Sequence, residues 1–230
     1  MKRDKSPATR SSTSDINAFL SKARQLVSTP AKGRLIVAID ATASRQASWD
    51  KACHLQAKMF SASAGLSGLA IQLVYYRGLN EFTALPWLDN SALLRQKMLA
   101  VTCLGGYTQI KRVLGHALQQ HRAQAASALV IIGDAFEDNH DDCTRLAGQL
   151  GLHQLPVFIF QEGFDPVAAN AFDQIARLSN GAHCQFDDNS AQQLERLLTT
   201  IAVYASGGAA AVRALPYSTE LSPLLLKRGT

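Results

Sequence analysis

The 230-residue chain is poor in the features that mark many catalytic and compartment-specific classes. Its four cysteines, Cys53, Cys103, Cys143 and Cys184, are scattered and form no C-x-x-C pair. That spacing speaks against a disulfide framework or a zinc site and for small apolar fillers in a reducing compartment. The histidines, at 54, 116, 121, 140, 153 and 183, show no H-E-x-x-H or related zinc spacing. No run approaches the roughly 18 apolar residues of a membrane helix, and the charged N-terminus lacks the apolar core of a signal peptide. The expectation is a cytoplasmic protein with no membrane partner. No Gly-rich turn follows the first apolar run, which disfavours dinucleotide and P-loop chemistry, and no internal repeat stands out.

What is present is an ordinary globular composition, 47% hydrophobic and 18% charged, in a length that suits one sizeable α/β domain with additions. The pI near 9.1 invites a nucleic-acid reading. The charge distribution answers it. Residues 1 to 34 carry eight Lys/Arg against Asp4 and Asp15, a net of +6, so against the total of +5 the rest of the chain stands at −1. A basic arm on a nearly neutral body makes nucleic acid an unfavoured partner. The arm reads first as a solvated tail, with an acidic partner surface as the alternative.

Residues 1–13 are polar and rich in Ser/Thr, the composition of a disordered basic tail. Residues 14–33 read as a leading helix, with Ile16, Phe19, Leu20, Ala23 and Val27 near helical spacing, and a linker broken by Pro30. A domain over 34–205 and a Gly/Ala-rich, then apolar, extension over 206–230 complete the expected organisation.

Within the domain, Leu35–Ile39, Leu69–Tyr76, Ala128–Ile132 and Val157–Phe160 read as buried parallel strands and His183–Phe186 as a shorter one. Glu81–Leu85, after the turn Gly78-Leu79-Asn80 and before Pro86, suits an antiparallel edge strand. Helices are expected near 48–63 and 91–101, from 110 onward on Ile110, Val113, Leu114, Ala117 and Leu118, and then around Cys143–Leu150, Ala168–Ile175 and Leu194–Ile201. The fold class is therefore α/β: a doubly wound, mainly parallel, Rossmann-like sheet with one antiparallel edge strand and helices on both faces.

Oxygen side chains gather at three places. Asp40, Thr42 and Ser44 follow the first strand, Asp134 follows the Ala128–Ile132 strand, and Thr108 follows the loop Leu104-Gly105-Gly106-Tyr107. Two acids and three hydroxyls suit a hard divalent cation, because Mg²⁺ prefers oxygen donors and keeps several waters. In a doubly wound sheet, ligands bind at the carboxyl ends of the strands where the strand order reverses.

Asp40-Ala41-Thr42-Ala43-Ser44 resembles the D-x-S-x-S signature of von Willebrand factor A domains, with Thr in place of the first Ser. Gly105-Gly106-Tyr107-Thr108 is similar to that family's Gly-rich loop and threonine, and Ile131-Ile132-Gly133-Asp134 to its later aspartate. The resemblance covers residues 34 to 205. It implies a metal-ion-dependent adhesion site in which Thr42, Ser44 and Thr108 bind the cation, with Asp40 and Asp134 binding directly or through water. It implies Mg²⁺, with Mn²⁺ or Ca²⁺ as alternatives, and a non-enzymatic module that captures an Asp or Glu carboxylate of a partner protein, as an accessory subunit of an intracellular complex.

The enzyme alternative is a Mg²⁺-dependent, haloacid-dehalogenase-like phosphatase with Asp40 as nucleophile, Lys111 as charge stabiliser and Asp134 as metal ligand. Thr42 weakens it, because soluble members need an acid there to protonate the leaving group. The acidic run Glu137–Asp142 reads as a solvated loop and helix start, with a second metal site as the sharper alternative. Arg45 reads as a solvated neighbour of the site.

Overall fold

The computed structural model describes residues 33–45, 69–186, 196, 199–203 and 205. The expected tail over 1–13, the leading helix, the helix near 48–63 with Cys53, and the extension over 206–230 lie outside the described residues.

Six strands form one sheet: β1 (Gly33–Asp40), β2 (Leu69–Arg77), β3 (Glu81–Ala84), β4 (Ala128–Gly133), β5 (Val157–Glu162) and β6 (Ala182–Phe186). Their order is β3-β2-β1-β4-β5-β6. Only β3 runs antiparallel, paired with β2 from Val74↔Ala84 to Arg77↔Glu81. The expected edge strand thus lies where an antiparallel hairpin can close a parallel sheet. Every residue of β1 and β4 is buried, which explains why both read as unbroken apolar runs rather than as alternating ones.

The alternation reappears as a division between two cores. Leu35, Val37, Ile39, Val130, Ile132, Phe158 and Phe160 face one side, packed with Leu94 and Met98 of α1 (Ser91–Leu99) and with Ile201, Ala202 and Ala205. Ile36, Ala38, Leu129, Ile131, Val157 and Ile159 face the other side. They meet α2 (Ile110–Ala123), α3 (His140–Leu152) and α4 (Pro166–Leu178). The i, i+3, i+4, i+7, i+8 series from Ile110 to Leu118 forms the buried stripe of α2.

Helix starts follow local chemistry with one exception. Asn90 caps α1 through Leu93 N–H, Asn139 caps α3 through Asp142 N–H, and Asp165 caps α4 with Pro166 at the first helical position. In α2 the cap position is Gln109, whose side chain makes no capping bond. That helix takes its cap from another loop, with consequences for the site.

The sheet order fixes where a ligand can go. The strand order reverses between β1 and β4, which are in register from Leu35↔Ala128 to Ile39↔Ile132. Asp40 closes β1 and Asp134 follows β4, so both acids stand at the switch point.

Candidate functional site

Asp40 is held on both carboxylate oxygens. Thr42 N–H donates to Oδ1 at 2.7 Å and the Tyr76 hydroxyl donates to Oδ2 at 3.0 Å. The sheet register places Tyr76 opposite Asp40. A 3-10 turn, Ala43–Arg45, then folds the chain so that the Thr42 and Ser44 hydroxyls lie 3.0 Å apart. Thr42 is buried and Ser44 exposed, so the pair leads from the end of the strand to the surface.

Arg45 anchors this turn. Its guanidinium donates to the Asp40 carbonyl at 2.7 Å and, through Nε, to Glu162 of β5 at 3.0 Å, with Nη2 2.9 Å from the same carboxylate oxygen as an ion pair. The residue is 1% exposed. The sequence suggested a solvated arginine; the structure buries it because Glu162, at the end of β5, supplies a carboxylate that local sequence cannot reveal.

Burial pushes the Asp40 carboxyl above the usual carboxylate range, and the negative charge of Asp134 adds to that; hydrogen bonds from Thr42 and the charge of Arg45 oppose it. Burial likewise drives the Tyr76 phenol well up, reinforced by Asp40. Tyr76 is therefore a neutral donor fixed on a carboxylate. Gly133 leaves room for this contact: a Cβ there would lie 3.3 Å from the Asp40 Cβ and 3.6 Å from the Tyr76 hydroxyl.

Asp134 is different. Its Oδ1 is buried and has no hydrogen-bond partner among the described residues. An unsatisfied buried carboxylate oxygen costs about 1–3 kcal/mol or more, so it calls for a function.

The Gly-rich loop is fastened beside the turn. Leu104 N–H donates to the Ala41 carbonyl at 3.0 Å, and Leu104 pairs with Thr42 in an isolated parallel bridge. A Cβ on Gly106 would overlap the Gly78 backbone, so this position requires glycine. Thr108 closes the loop. Its hydroxyl donates to Asp138 Oδ2 at 2.8 Å and accepts from Glu137 N–H at 2.8 Å, while Thr108 N–H donates to Glu137 Oε2 at 3.0 Å. Asp138 also accepts from Ile110 N–H at 2.8 Å and Lys111 N–H at 3.1 Å. Asp138 is thus the missing cap of α2, supplied from the loop between β4 and α3. Capping of α2 thus falls to Asp138, which holds the Thr108 hydroxyl as well.

The acidic run is accordingly divided in role. Glu137 and Asp138 fasten the Thr108 loop, Asn139 caps α3, and Asp142 pairs with Lys111 at 2.7 Å and Arg145 at 3.1 Å. Among the described residues no group of three or more His, Cys, Asp or Glu is arranged to hold a metal. A second metal site in this run gains no support. The result bears less on the first site, whose expected donors are two acids and three hydroxyls.

The donor chemistry fits a divalent cation. Asp134 offers an uncommitted oxygen, Thr42 and Ser44 offer adjacent hydroxyls, and the Thr108 hydroxyl, with one bond donated and one accepted, retains a lone pair. Tyr76, Arg45, Glu162 and Asp138 escaped the reading of the sequence as site residues. The one signal for Tyr76 was its buried place near the end of β2, beside a second phenol, Tyr75.

No family model matches the sequence and no curated protein matches it. Solved structures do. The von Willebrand factor type A protein from Catenulispora acidiphila aligns at 16% identity and a TM-score of 0.58, over 76% of this chain and 44% of that one. The SpRpn10 VWA domain aligns at 13% identity and 0.58, over 72% and 93%. The pilus adhesin SpaC from Lactobacillus rhamnosus GG, in its open conformation, aligns at 8% and 0.61, over 77% and 30%. This chain spans less than half of the first and third of these proteins. The chain has the von Willebrand factor A fold.

Proposed function

We propose that the segment after β1, the Gly-rich loop and the segment after β4 form a divalent-cation site that captures an Asp or Glu carboxylate of a partner protein. Thr42, Ser44 and Thr108 would hold Mg²⁺, or Mn²⁺ or Ca²⁺ in its place, with Asp40 and Asp134 bound directly or through water. A bound cation supplies a coordination position for the incoming carboxylate, since two protein carboxylates only balance its charge. The single observation that carries this reading is Asp134 Oδ1 at the switch point, buried and without a hydrogen-bond partner among the described residues, opposite an Asp40 whose two oxygens are taken.

The module is a binding domain rather than an enzyme, and works as an accessory subunit of a cytoplasmic complex. Among the described residues no helix is long and apolar enough to cross a membrane. The phosphatase alternative gains nothing from the geometry: Lys111 is half exposed and paired with Asp142, and the residue at the proton-donor position is Thr42. Measured turnover of a generic phosphoester by the unmodified protein would reverse that preference.

The test is a calorimetric titration of chelator-stripped protein with Mg²⁺ and Mn²⁺, beside folded Asp40→Ala and Asp134→Ala variants. Saturable binding lost in both variants is the expected result. Equal binding by the variants and the parent would place the cation elsewhere.

A further inference from the structure

The face that carries the candidate site also carries a ridge of exposed apolar side chains, and the geometry points to this ridge as the docking surface for apolar residues that flank the partner's carboxylate. The inference rests on the cation reading above and adds the chemistry of the partner segment: an acidic residue with aliphatic or aromatic neighbours.

Three large apolar side chains form the ridge. Leu79 is 69% exposed, Leu104 52% and Tyr107 60%. They come from two segments, and the backbone contacts that join those segments are specific. Gly78 N–H donates to the Leu104 carbonyl at 3.4 Å, and a Cβ on Gly78 would lie 3.2 Å from the Leu104 Cδ2. Gly106 sits against the Gly78 backbone so closely that no side chain fits between them. The turn holding Leu79 and the loop holding Leu104 and Tyr107 therefore form one surface. Gly78 adopts φ 59°, which lets the turn present Leu79 outward.

The ridge is continuous with the candidate site. Leu104 is bridged to Thr42, Gly105 lies against Ala43, and Tyr107 precedes Thr108. Ala43 and Ser44 are themselves exposed. Among the described residues the other exposed large apolar side chains are on helices: Leu93 and Leu99 on α1, Leu152 and Leu178 at the carboxyl ends of α3 and α4, and Val167 at the start of α4. Exposed apolar groups gathered beside a polar site mark interaction surfaces more than scattered ones do.

Charge decides the direction of approach. The other flank of Thr108 carries Glu137, Asp138, Asp141 and Asp142, with Lys111 and Arg145 paired to Asp142, so it keeps an excess of acid, and Glu137 and Asp138 are in direct contact with Thr108. A partner that brings a carboxylate is repelled along that flank and is left with the apolar one. The Leu104 backbone is pinned on both sides, to Ala41 and to Gly78, so little backbone freedom is lost when its side chain is covered.

The probe is an array of nine-residue peptides with a central Glu and flanking positions filled by either Leu or Ser, read in Mg²⁺ and in chelator. The parent 230-residue chain is compared with a Leu104→Ser/Tyr107→Ser variant of native circular dichroism. In Mg²⁺, Leu-flanked Glu peptides are expected to bind about tenfold more tightly than Ser-flanked ones, the scale set by partial burial of one or two large apolar side chains. The double variant should lose that preference while keeping its affinity for the Ser-flanked peptides. Equal, Mg²⁺-dependent binding of both peptide sets would overturn the ridge and leave the cation reading standing. Leu-flanked binding unchanged in chelator, or with Gln for Glu, would overturn the coupling of ridge to cation and count against the cation reading itself. A silent array overturns the peptide chemistry, and the Mg²⁺ titration then decides the cation reading by itself. Concentration-dependent dimerisation abolished in the double variant would assign the ridge to a second copy of this chain and overturn the proposal.

Discussion

The segments that follow β1 and β4 each present an aspartate at the same switch point, yet they are built in opposite ways. After β1, Asp40 is committed on both oxygens and its carbonyl, to Thr42, Tyr76 and Arg45. After β4, Asp134 keeps a buried oxygen without a partner among the described residues, while the acids that follow it turn away to serve α2 and Thr108. One aspartate is part of the scaffold and the other keeps the free oxygen that the proposed cation site would use. A binding site needs both: rigid ligand positions, and a donor whose energy is released only when something binds.

The sharpest way to break the contrast is to unfasten the first segment. Arg45→Ala would strand Glu162 and the Asp40 carbonyl, and removing one partner of a buried ion pair costs about 3 kcal/mol or more; urea denaturation in chelator should show a loss of that size. Asp40→Ala should cost about 2 kcal/mol in the same assay, since it leaves Thr42 N–H and the buried Tyr76 hydroxyl without their acceptor. Asp134→Ala should differ in sign. In metal-free protein it removes an unsatisfied buried acceptor and a negative charge acting on Asp40, so stability should hold or rise by up to about 1 kcal/mol. A loss equal to that of Asp40→Ala would erase the distinction.

Titration offers a further test. The folded Asp40 carboxyl is raised above its unfolded value, so the folded state binds more protons in the interval between the two. Its contribution is fully present below the unfolded value, near 3.8, and is lost as the pH rises through the folded value. Denaturation in chelator should show stability falling through that interval, with a flatter profile for Asp40→Asn.

Smaller effects sharpen the second segment. Asp138→Ala should cost about 1 kcal/mol, the loss of a helix cap, with faster amide exchange at Ile110 and Lys111; Asp138→Asn should retain most of the bond set. Lys111→Ala should leave the melting temperature unchanged, because its ion pair with Asp142 is exposed to water. A large Lys111 effect, or phosphoester turnover that depends on it, would argue for the enzyme alternative.

Legibility followed the range of the interaction. β1 and β4 were readable because strands buried on both faces leave continuous apolar runs, and α2 because its stripe repeats at helical spacing. The D-x-T-x-S turn was readable because Asp40, Thr42 and Ser44 act within five residues of chain. Arg45 was misread, since its carboxylate lies on β5. The role of Asp138 was not readable, because no local signal shows that an aspartate thirty residues after Thr108 would take both its hydroxyl and the start of α2.

The sequence by itself determined the strands, the amphipathic helices, the edge hairpin and the oxygen side chains at the ends of β1 and β4, because these depend on backbone preference and on side-chain periodicity along a single segment. Tertiary structure decided which of those oxygens are already spent. It brought Tyr76 to Asp40, Glu162 to Arg45 and Asp138 to Thr108, left one oxygen of Asp134 without a partner among the described residues, and gathered Leu79, Leu104 and Tyr107 beside them. Hydrogen-bond satisfaction and burial are properties of chain segments that meet in space, and only the order of strands in the sheet says which segments those are.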